Sequence, residues 1–183
     1  QTGPIHRRAE ARWVYDGSVA MALRGGKYGG QLWRLRRLGD ALQPWVGRQL
    51  EDVRSEASAA EDSTPVVIPV PMHCSELQRR GFNAAIQLAR SAFRPHSTTL
   101  AYRAVEKTEA TAPQASLQRQ ERLKNLRGVF QVRRPDQIRG RRCIVFDDVA
   151  TTGATVAELA RTVDRCDPDD IWVLTAARAT PGP

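Results

Sequence analysis

One stretch of this chain, residues 143–155, constrains its fold more than any other. It begins with four apolar residues in a row, which suit a strand of a parallel sheet that is covered on both faces. Asp147 and Asp148 follow at the carboxyl end of that strand, and a helical pattern starts after a short hydroxyl-rich turn. Because ligands of open α/β sheets bind outside the carboxyl ends of the strands, the stretch predicts a binding site.

The turn has the composition of a phosphate site, and the acids before it suit a sugar. Free amides at a helix N-terminus, with their partial positive charge, bind phosphate, and Gly153 lets the backbone approach closely. Ionised carboxylates only accept hydrogen bonds, which suits the vicinal hydroxyls of a ribose. We therefore predict a sugar-phosphate site that includes Val149, Ala150, Thr151, Thr152, Gly153, Ala154 and Thr155, with the phosphate on residues 150–155.

Each part of this pattern has an ordinary alternative. An isolated acidic pair is commonly a helix cap or a solvated turn, and Thr-Thr-Gly by itself is a turn. Joined in this order after a buried strand, residues 143–155 resemble the phosphoribosyl diphosphate (PRPP) signature of the type I phosphoribosyltransferases. The strand–turn–helix context favours the functional interpretation.

The composition indicates a single globular domain. A chain of 183 residues can bury one adequate core and is too short for two ordinary domains. No apolar run approaches the roughly twenty residues of a membrane span, and residues 1–10 have no signal-peptide core, so we expect no membrane insertion. Cys74, Cys143 and Cys166 are scattered and lack the paired spacing of structural zinc. Reduced thiols suit a cytoplasmic protein, which is the location we expect.

The formal net charge is +8, and much of the excess lies in one segment. Nine basic residues stand between positions 119 and 142, against two acidic ones. A solvated basic face is one interpretation of this segment. A surface for anionic substrates or for nucleic-acid phosphates is the other, and the sequence leaves both open.

The alternation of strand and helix patterns predicts an α/β fold with a doubly wound, mainly parallel sheet. We expect strands over 66–70, 98–105, 128–132, 141–148 and 171–177, and helices over 18–23, 31–50, 79–93 and 155–164. Residues 1–64 are predicted to be a helical N-terminal segment that packs as a hood on a phosphoribosyltransferase core of residues 65–183, although residues 11–15 also fit a short strand.

Three further blocks extend the resemblance to nearly the whole chain. Residues 67–73 and 79–83 resemble the "VPVP-x-H…R-x-RGFNQ" block of ComF-type competence proteins. Residues 111–132 are similar to their "T-x-PQ…L…R…N…G-x-F-x-V" block, and residues 15–30 to their "Y-x-G…L…KY-x-G" block. These blocks are more specific than the PRPP signature, which many phosphoribosyltransferases share. The chain lacks the paired cysteines of the family's zinc ribbon, so zinc is not expected.

The resemblance implies roles for individual residues. Asp147 and Asp148 would be catalytic residues that lie against the ribose of PRPP, and pyrophosphate would lie at the turn around Met72 and His73. Mg²⁺ would bind with PRPP, held by substrate oxygens and water and not by protein side chains alone. The other implied PRPP ligands are Arg79, Arg80 and Lys27. The long basic loop of residues 103–127 would be a lid that closes over PRPP, with contacts from Gln114, Arg122 and Asn125.

Several of these residues have structural alternatives that the sequence leaves open. His73 could cap a helix, Arg79 and Arg80 could be solvated, and Lys27 could be a solvated loop lysine. Core packing and base stacking are both open for Trp13, Trp33 and Trp45.

The implied function is that of a ComF-type, PRPP-binding, phosphoribosyltransferase-like protein in competence and the handling of incoming single-stranded DNA. The implied partners are PRPP or pyrophosphate, single-stranded DNA and a competence helicase. Whether the protein transfers ribose phosphate, and to which acceptor, stays open. The alternatives are a nucleobase salvage phosphoribosyltransferase and a non-catalytic module that binds single-stranded DNA.

Overall fold

The computed structural model describes residues 5–55, 64–109 and 127–180. In chain order the elements are β1 (Arg8–Val14), α1 (Gly17–Tyr28), α2 (Leu32–Ser55), β2 (Val66–Pro69), α3 (Cys74–Arg80), α4 (Ala84–Ala92), β3 (Thr99–Leu100), β4 (Val105–Lys107), β5 (Phe130–Val132), a 3-10 turn (Pro135–Gln137), β6 (Arg142–Ala150), α5 (Ala154–Asp164) and β7 (Asp170–Arg178).

Five strands form one sheet in the order β1-β7-β6-β2-β3, and every neighbouring pair in it is parallel. Strands β4 and β5 form a separate antiparallel pair. The central strand β6 is apolar and buried from Cys143 to Phe146, as expected for a parallel strand with both faces covered. The predicted α/β fold with a mainly parallel sheet is confirmed.

Helices cover both faces of the sheet, so it is doubly wound. On one face, buried residues of α2 and α4, such as Leu42 and Leu88, pack in one cluster with Phe146 of β6. Phe93 meets Phe146 edge to face, with ring centroids 5.4 Å apart. On the other face, α5 and the β4–β5 pair cover the sheet, with Leu159 among the buried residues.

The N-terminal segment is not wholly helical, because β1 precedes its two helices. Strand β1 pairs in parallel with β7, from Arg8 opposite Trp172 to Val14 opposite Arg178, and forms one edge of the main sheet. Of the two interpretations of residues 11–15, the strand is therefore the one that the structure has. The division of the chain at residue 64 stays a prediction.

Helix α2 is longer than predicted and runs through Pro44 without a break. Its buried residues Leu42, Trp45 and Val46 flank the proline and anchor the helix to the core. Tertiary packing of this kind supplies most of the stability of a helix in a protein, and here it outweighs the local cost of the proline. The opposite face of α2 is polar, and within the described ranges no helix is long and apolar enough to cross a membrane.

Two other predictions of single elements were wrong. The predicted helix 79–93 is two helices, because Gly81 adopts a left-handed conformation (φ 80°) that ends α3, and the Asn83 side chain caps α4. The predicted strand 98–105 contains a turn in which the amide of Ala104 donates to the carbonyl of Ala101. That turn separates the short strand β3 from β4.

Candidate functional site

The predicted site residues gather at the carboxyl edge of the sheet because β2 and β6 are neighbours. Pro69 lies opposite Phe146 in the register, and the amide of Val70 donates to the carbonyl of Phe146. Residues 71–73 therefore leave β2 beside the acidic pair, which lies within the carboxyl half of β6. Asn83, which is buried, donates from its side-chain amide to the carbonyl of Val70 at 2.9 Å and holds this turn in place.

The two carboxylates of the acidic pair have different surroundings. Asp147 is half-buried, and its Oδ1 accepts a hydrogen bond from the backbone amide of Asp148 at 2.8 Å. Asp148 is buried, and its Oδ2 lies 2.7 Å from the Nζ of Lys27. The pair is thus neither a helix cap nor a solvated turn.

Lys27 comes from the last turn of α1, which packs very closely against α2. A Cβ at the neighbouring Gly26 would lie 2.6 Å from the Cγ of Leu35, so only glycine permits this approach. The Lys27 side chain is 17% exposed and that of Asp148 is 11% exposed. Lys27 is therefore not the solvated lysine that was one alternative for it, and its predicted contact with pyrophosphate stays a prediction.

The charges around the pair shift the pKa values of both Lys27 and Asp147. Burial lowers the pKa of Lys27, but the charge of Asp148, the hydrogen bond to it and the charge of Asp147 outweigh burial and raise the pKa. For Asp147, burial and then the charge of Asp148 raise the pKa well above its usual range, against the opposing charge of Lys27. Ionised Asp147 is therefore disfavoured relative to an exposed carboxylate.

A second lysine, which the sequence reasoning missed, lies near the same carboxylates. Lys107 is the last residue of β4, and its Nζ lies 3.8 Å from Glu76 on α3. Burial lowers the pKa of Lys107, and the charges of Glu76 and Asp147 oppose that effect. No motif marks Lys107, which lies within the predicted lid of residues 103–127; the structure instead places residues 105–107 in strand β4. Among the described residues, no group of three or more His, Cys, Asp or Glu side chains is arranged to hold a metal ion.

The predicted phosphate turn connects β6 to α5. Gly153 adopts a φ of 75°, a backbone conformation that residues with a side chain rarely adopt, and α5 begins at the next residue. The hydroxyl of Thr152 accepts a hydrogen bond from the amide of Ala154 at 3.3 Å. A shallow recess of about 20 Å³ is lined by Asp147, Val149, Ala150, Thr151, Thr152, Gly153, Ala154, Thr155 and Val156.

The residues of the predicted pyrophosphate region take several roles. His73 caps α3, and its Nδ1 accepts a hydrogen bond from the amide of Ser75 at 3.3 Å, which is the structural alternative considered for it. The guanidinium of Arg80 stacks 5.0 Å from the ring centroid of Tyr28. A cleft of about 310 Å³ is lined by Lys27, Tyr28, Gly30, Arg79, Arg80 and Phe82. Met72 lines a different cleft, to which α3 contributes Leu77.

The predicted lid contacts Gln114, Arg122 and Asn125 lie outside the described residues. The chain on both sides of that segment is held firmly. The amide of Thr108 donates to the carbonyl of Val129, and buried Glu158 of α5 accepts from the amide of Gly128 at 2.8 Å. Helix α5, which starts at the phosphate turn, therefore also holds Gly128, just before β5 begins.

The basic segment does not form one continuous surface in the described part of the chain. Arg133 and Arg134 follow β5 and lie beside the Met72 cleft, near the predicted site. Arg141 and Arg142 lie at the start of β6, at the opposite edge of the sheet, where Arg141 donates to the carbonyl of Thr64. A single basic face was therefore an oversimplification.

The tryptophans of the N-terminal part differ in burial. Trp45 is buried and belongs to the main core, and Trp13 packs against that core from the edge. Trp33 is 60% exposed and lies under the guanidinium of Arg34. Core packing therefore describes two of the three.

The parallel strand order, together with an acidic pair and a glycine-opened helix at the end of the central strand, defines a protein of the type I phosphoribosyltransferase fold. Comparison with known proteins gives a more particular result. The chain is 38% identical over 95 residues to the DNA utilization protein YhgH of Shigella flexneri, and this matched stretch covers 52% of this chain and 41% of YhgH. It is 30% identical over 114 residues to Competence protein F of Haemophilus influenzae, and this matched stretch covers 62% of this chain and 50% of Competence protein F. The chain is homologous to these proteins, which confirms the resemblance to ComF-type competence proteins.

The chain spans half or less of the length of these relatives. No protein-family model matches it. Solved structures that match this chain include a hypoxanthine-guanine phosphoribosyl transferase from L. donovani. That match has a TM-score of 0.43 and 12% sequence identity, and it covers 78% of this chain and 70% of the transferase chain. An allosteric regulatory enzyme of purine biosynthesis has a TM-score of 0.43 and 17% identity, covering 77% of this chain and 25% of that one. At these values the fold assignment rests on the strand order and the motif, not on these structures.

Proposed function

We propose that this chain is a ComF-type, phosphoribosyltransferase-like protein that binds PRPP with Mg²⁺ and takes part in DNA uptake. The observation that supports this most strongly is the single edge of the sheet at which three features meet: the acidic pair, the start of α5 and the turn after β2. A diol-binding pair beside a phosphate-binding helix start is the arrangement that a ribose phosphate requires.

The ligand would lie across this edge in one orientation. Asp147 and the second oxygen of Asp148 would accept hydrogen bonds from the ribose hydroxyls, and the 5′-phosphate would bind at residues 149–155. Pyrophosphate would extend toward Met72 and His73. Positive charge for it is available from Lys27, Lys107, Arg79 and Arg80, two of which are already close to the acidic pair.

Mg²⁺ fits this site as a metal that arrives with its ligand. The carboxylates offer the oxygen donors that Mg²⁺ prefers, but Lys27 already neutralises Asp148, so substrate oxygens would supply most of the coordination. When bound, Mg²⁺ would stabilise the negative charge that develops on departing pyrophosphate. In a transfer reaction the nucleophile of an acceptor would form the new bond at the anomeric carbon as the bond to pyrophosphate breaks, and the residues of this edge would orient the ribose for it.

The role in DNA handling follows from the relatives and from charge. The names of the homologues refer to competence and DNA utilization, and the formal net charge of +8 suits a polyanionic partner. We place this role in the cytoplasm, with single-stranded DNA and a competence helicase as partners. The relatives do not favour a nucleobase salvage enzyme or a purely non-catalytic DNA-binding module.

Isothermal titration with PRPP, with and without Mg²⁺, tests the site. The wild-type protein should bind, and Asp147→Asn and Asp148→Asn should each weaken binding at least about tenfold, the size expected for lost hydrogen bonds to charged groups. Asp52→Asn is the matched control, because Asp52 is an exposed acid paired with Arg8 and should behave as wild type. Absence of PRPP binding, or equal binding by all three variants, would remove the site assignment.

A screen of free bases separates the salvage alternative. Adenine, hypoxanthine, guanine, uracil and orotate are each supplied with PRPP, and pyrophosphate release is followed. We expect no turnover with any of them. Turnover with one base at ordinary enzymatic rates would favour salvage over the competence role.

A further inference from the structure

A cleft of about 380 Å³ lies beside the proposed PRPP site, between the turn after β2 and the turn before β4. Its volume falls within the roughly 300–1,000 Å³ of small-ligand pockets. Its floor is apolar, with Met72, Ile86 and Val105 facing the cleft. Apart from Met72, none of these residues belongs to the proposed PRPP site.

An exposed aromatic ring forms one wall of this cleft. The Tyr102 side chain is 50% exposed, and the guanidinium of Arg103 lies 5.9 Å from its ring centroid. Leu77 on the facing helix α3 is also exposed, at 42%. A large flat ring opposite an aliphatic side chain, above an apolar floor, is suited to a planar aromatic ligand.

The rim of the cleft carries net positive charge. Arg103, Arg133 and Arg134 line it against one acid, Glu106, which leaves a net charge of two positive units. Glu106 is bound by Arg133, and this hydrogen bond is the main reason that the pKa of Glu106 is lowered. Glu106 is therefore ionised and engaged, and the guanidinium groups of Arg103 and Arg134 are the candidates for an anionic ligand.

The two segments that carry these groups are joined by backbone hydrogen bonds. The carbonyl of Ala104 accepts from the amides of Arg133 at 2.7 Å and of Arg134 at 3.1 Å. The backbone segments that carry the ring and the arginines are thus held together, which lowers the cost of ordering these side chains around a ligand.

We propose that this cleft binds a nucleotide unit, with the base stacked on Tyr102 and the phosphate on Arg103 and Arg134. Arginine binds phosphate through two parallel hydrogen bonds, and every base can stack on an aromatic side chain. The unit could be a free nucleotide or part of a single strand of DNA. The strand source rests on the proposed role in DNA handling; the cleft itself does not depend on PRPP binding.

Fluorescence anisotropy with a labelled oligothymidylate of about twelve nucleotides, within the ~4–16 nucleotide sites of single-strand binding folds, tests the proposal. Tyr102→Ala should weaken binding at least about fivefold, since one stacked base contributes ~1–3 kcal/mol, and Tyr102→Phe should restore it because it keeps the ring. Replacing Arg103 and Arg134 together by Gln should lower the slope of log affinity against log salt by up to about two. The matched control is Trp33→Ala, which removes another exposed ring stacked with an arginine, on α2.

Competition by unlabelled thymidine monophosphate identifies the source of the ligand. If thymidine monophosphate displaces the oligonucleotide from the wild type but not from Tyr102→Ala, the cleft is a site for free nucleotides. If thymidine monophosphate displaces nothing but Tyr102→Ala still weakens oligonucleotide binding, the cleft is a strand-binding site. Absence of oligonucleotide binding together with absence of binding by the free nucleotide overturns the proposal. So does an equal loss in Trp33→Ala, or a loss in the arginine variant alone, which an acidic peptide site would also give. PRPP titration of Tyr102→Ala, expected to match wild type, keeps this result separate from the fate of the PRPP site.

Discussion

Replacing Lys27 by Met tests the electrostatics of the acidic pair. The substitution keeps the length of the side chain and removes its charge, so Asp148 stays buried with no cation 2.7 Å away. Breaking a fully buried ion pair from one side costs about 3–5 kcal/mol. Because these side chains are 17% and 11% exposed, partial screening by water reduces the expected loss to about 2–4 kcal/mol.

The loss should appear in thermal and urea unfolding at pH 7–8, as a fall in Tm of roughly 5–15 °C for a chain of this size. The pKa of Lys27 is raised in the folded state. The stabilisation by its charge is therefore fully present below the unfolded lysine pKa and disappears only as pH rises through the folded value. The difference between wild type and Lys27→Met should accordingly stay constant from pH 7 to 9 and shrink in strong alkali.

A double-mutant cycle with Asp148→Asn isolates the pair. We expect a coupling energy of at least about 1.5 kcal/mol, since the two groups are in direct contact. Arg8→Met is the control, because Arg8 and Asp52 are 3.0 Å apart but nearly half exposed, and such pairs contribute at most ~1 kcal/mol. A coupling near zero, or a loss no larger than that of Arg8→Met, would refute the reasoning.

Three further predictions concern the site and the core. Asp147→Asn should raise the free energy of unfolding at neutral pH, because burial and Asp148 raise the pKa of Asp147. The gain should shrink as pH falls through the raised folded pKa and be gone below the unfolded carboxyl pKa, and a variant less stable than wild type at pH 7 would contradict it. Gly39→Ala should lower the free energy of unfolding in urea although alanine favours helices by ~1 kcal/mol, since the added Cβ would lie 2.5 Å from the Cβ of Ser91. Asp40→Ala, at the exposed neighbouring position on α2, should be nearly neutral, and a stabilised Gly39→Ala would contradict the close packing of α2 on α4. Thiol titration under native conditions should label exposed Cys74 first and leave Cys143 unreacted, because burial raises the pKa of Cys143 to about 12; rapid labelling of both would mean that β6 is accessible.

The predictions that succeeded are those that depend on neighbours in the chain. The strand–turn–helix of residues 143–155 could be predicted because apolar residues specify a covered strand, and Gly153 permits the backbone turn that starts α5. The break between α3 and α4 is equally local, since Gly81 and Asn83 signal it, but the apolar stripe of residues 82–93 continues across the break and favours one helix.

Other features of the site, which the sequence did not reveal, depend on contacts between distant segments. The partner of Lys27 is Asp148, more than a hundred residues away, and a lysine in a glycine-rich stretch has no local feature that indicates burial. In the same way, Arg133 and Arg142 are close in sequence, but β6 carries its first residues to the edge of the sheet opposite the site.

The sequence alone determined the class of fold, the position of the acidic pair and the likeness to ComF-type proteins, because these depend on periodicity, turn chemistry and residue order. Tertiary structure alone decided how the pair is charged, which lysines lie beside it and where the arginines face. The physical reason is that pKa values and ion pairs depend on burial and on distances of a few ångströms, which only the positions of α1, β4 and β6 in the folded chain set.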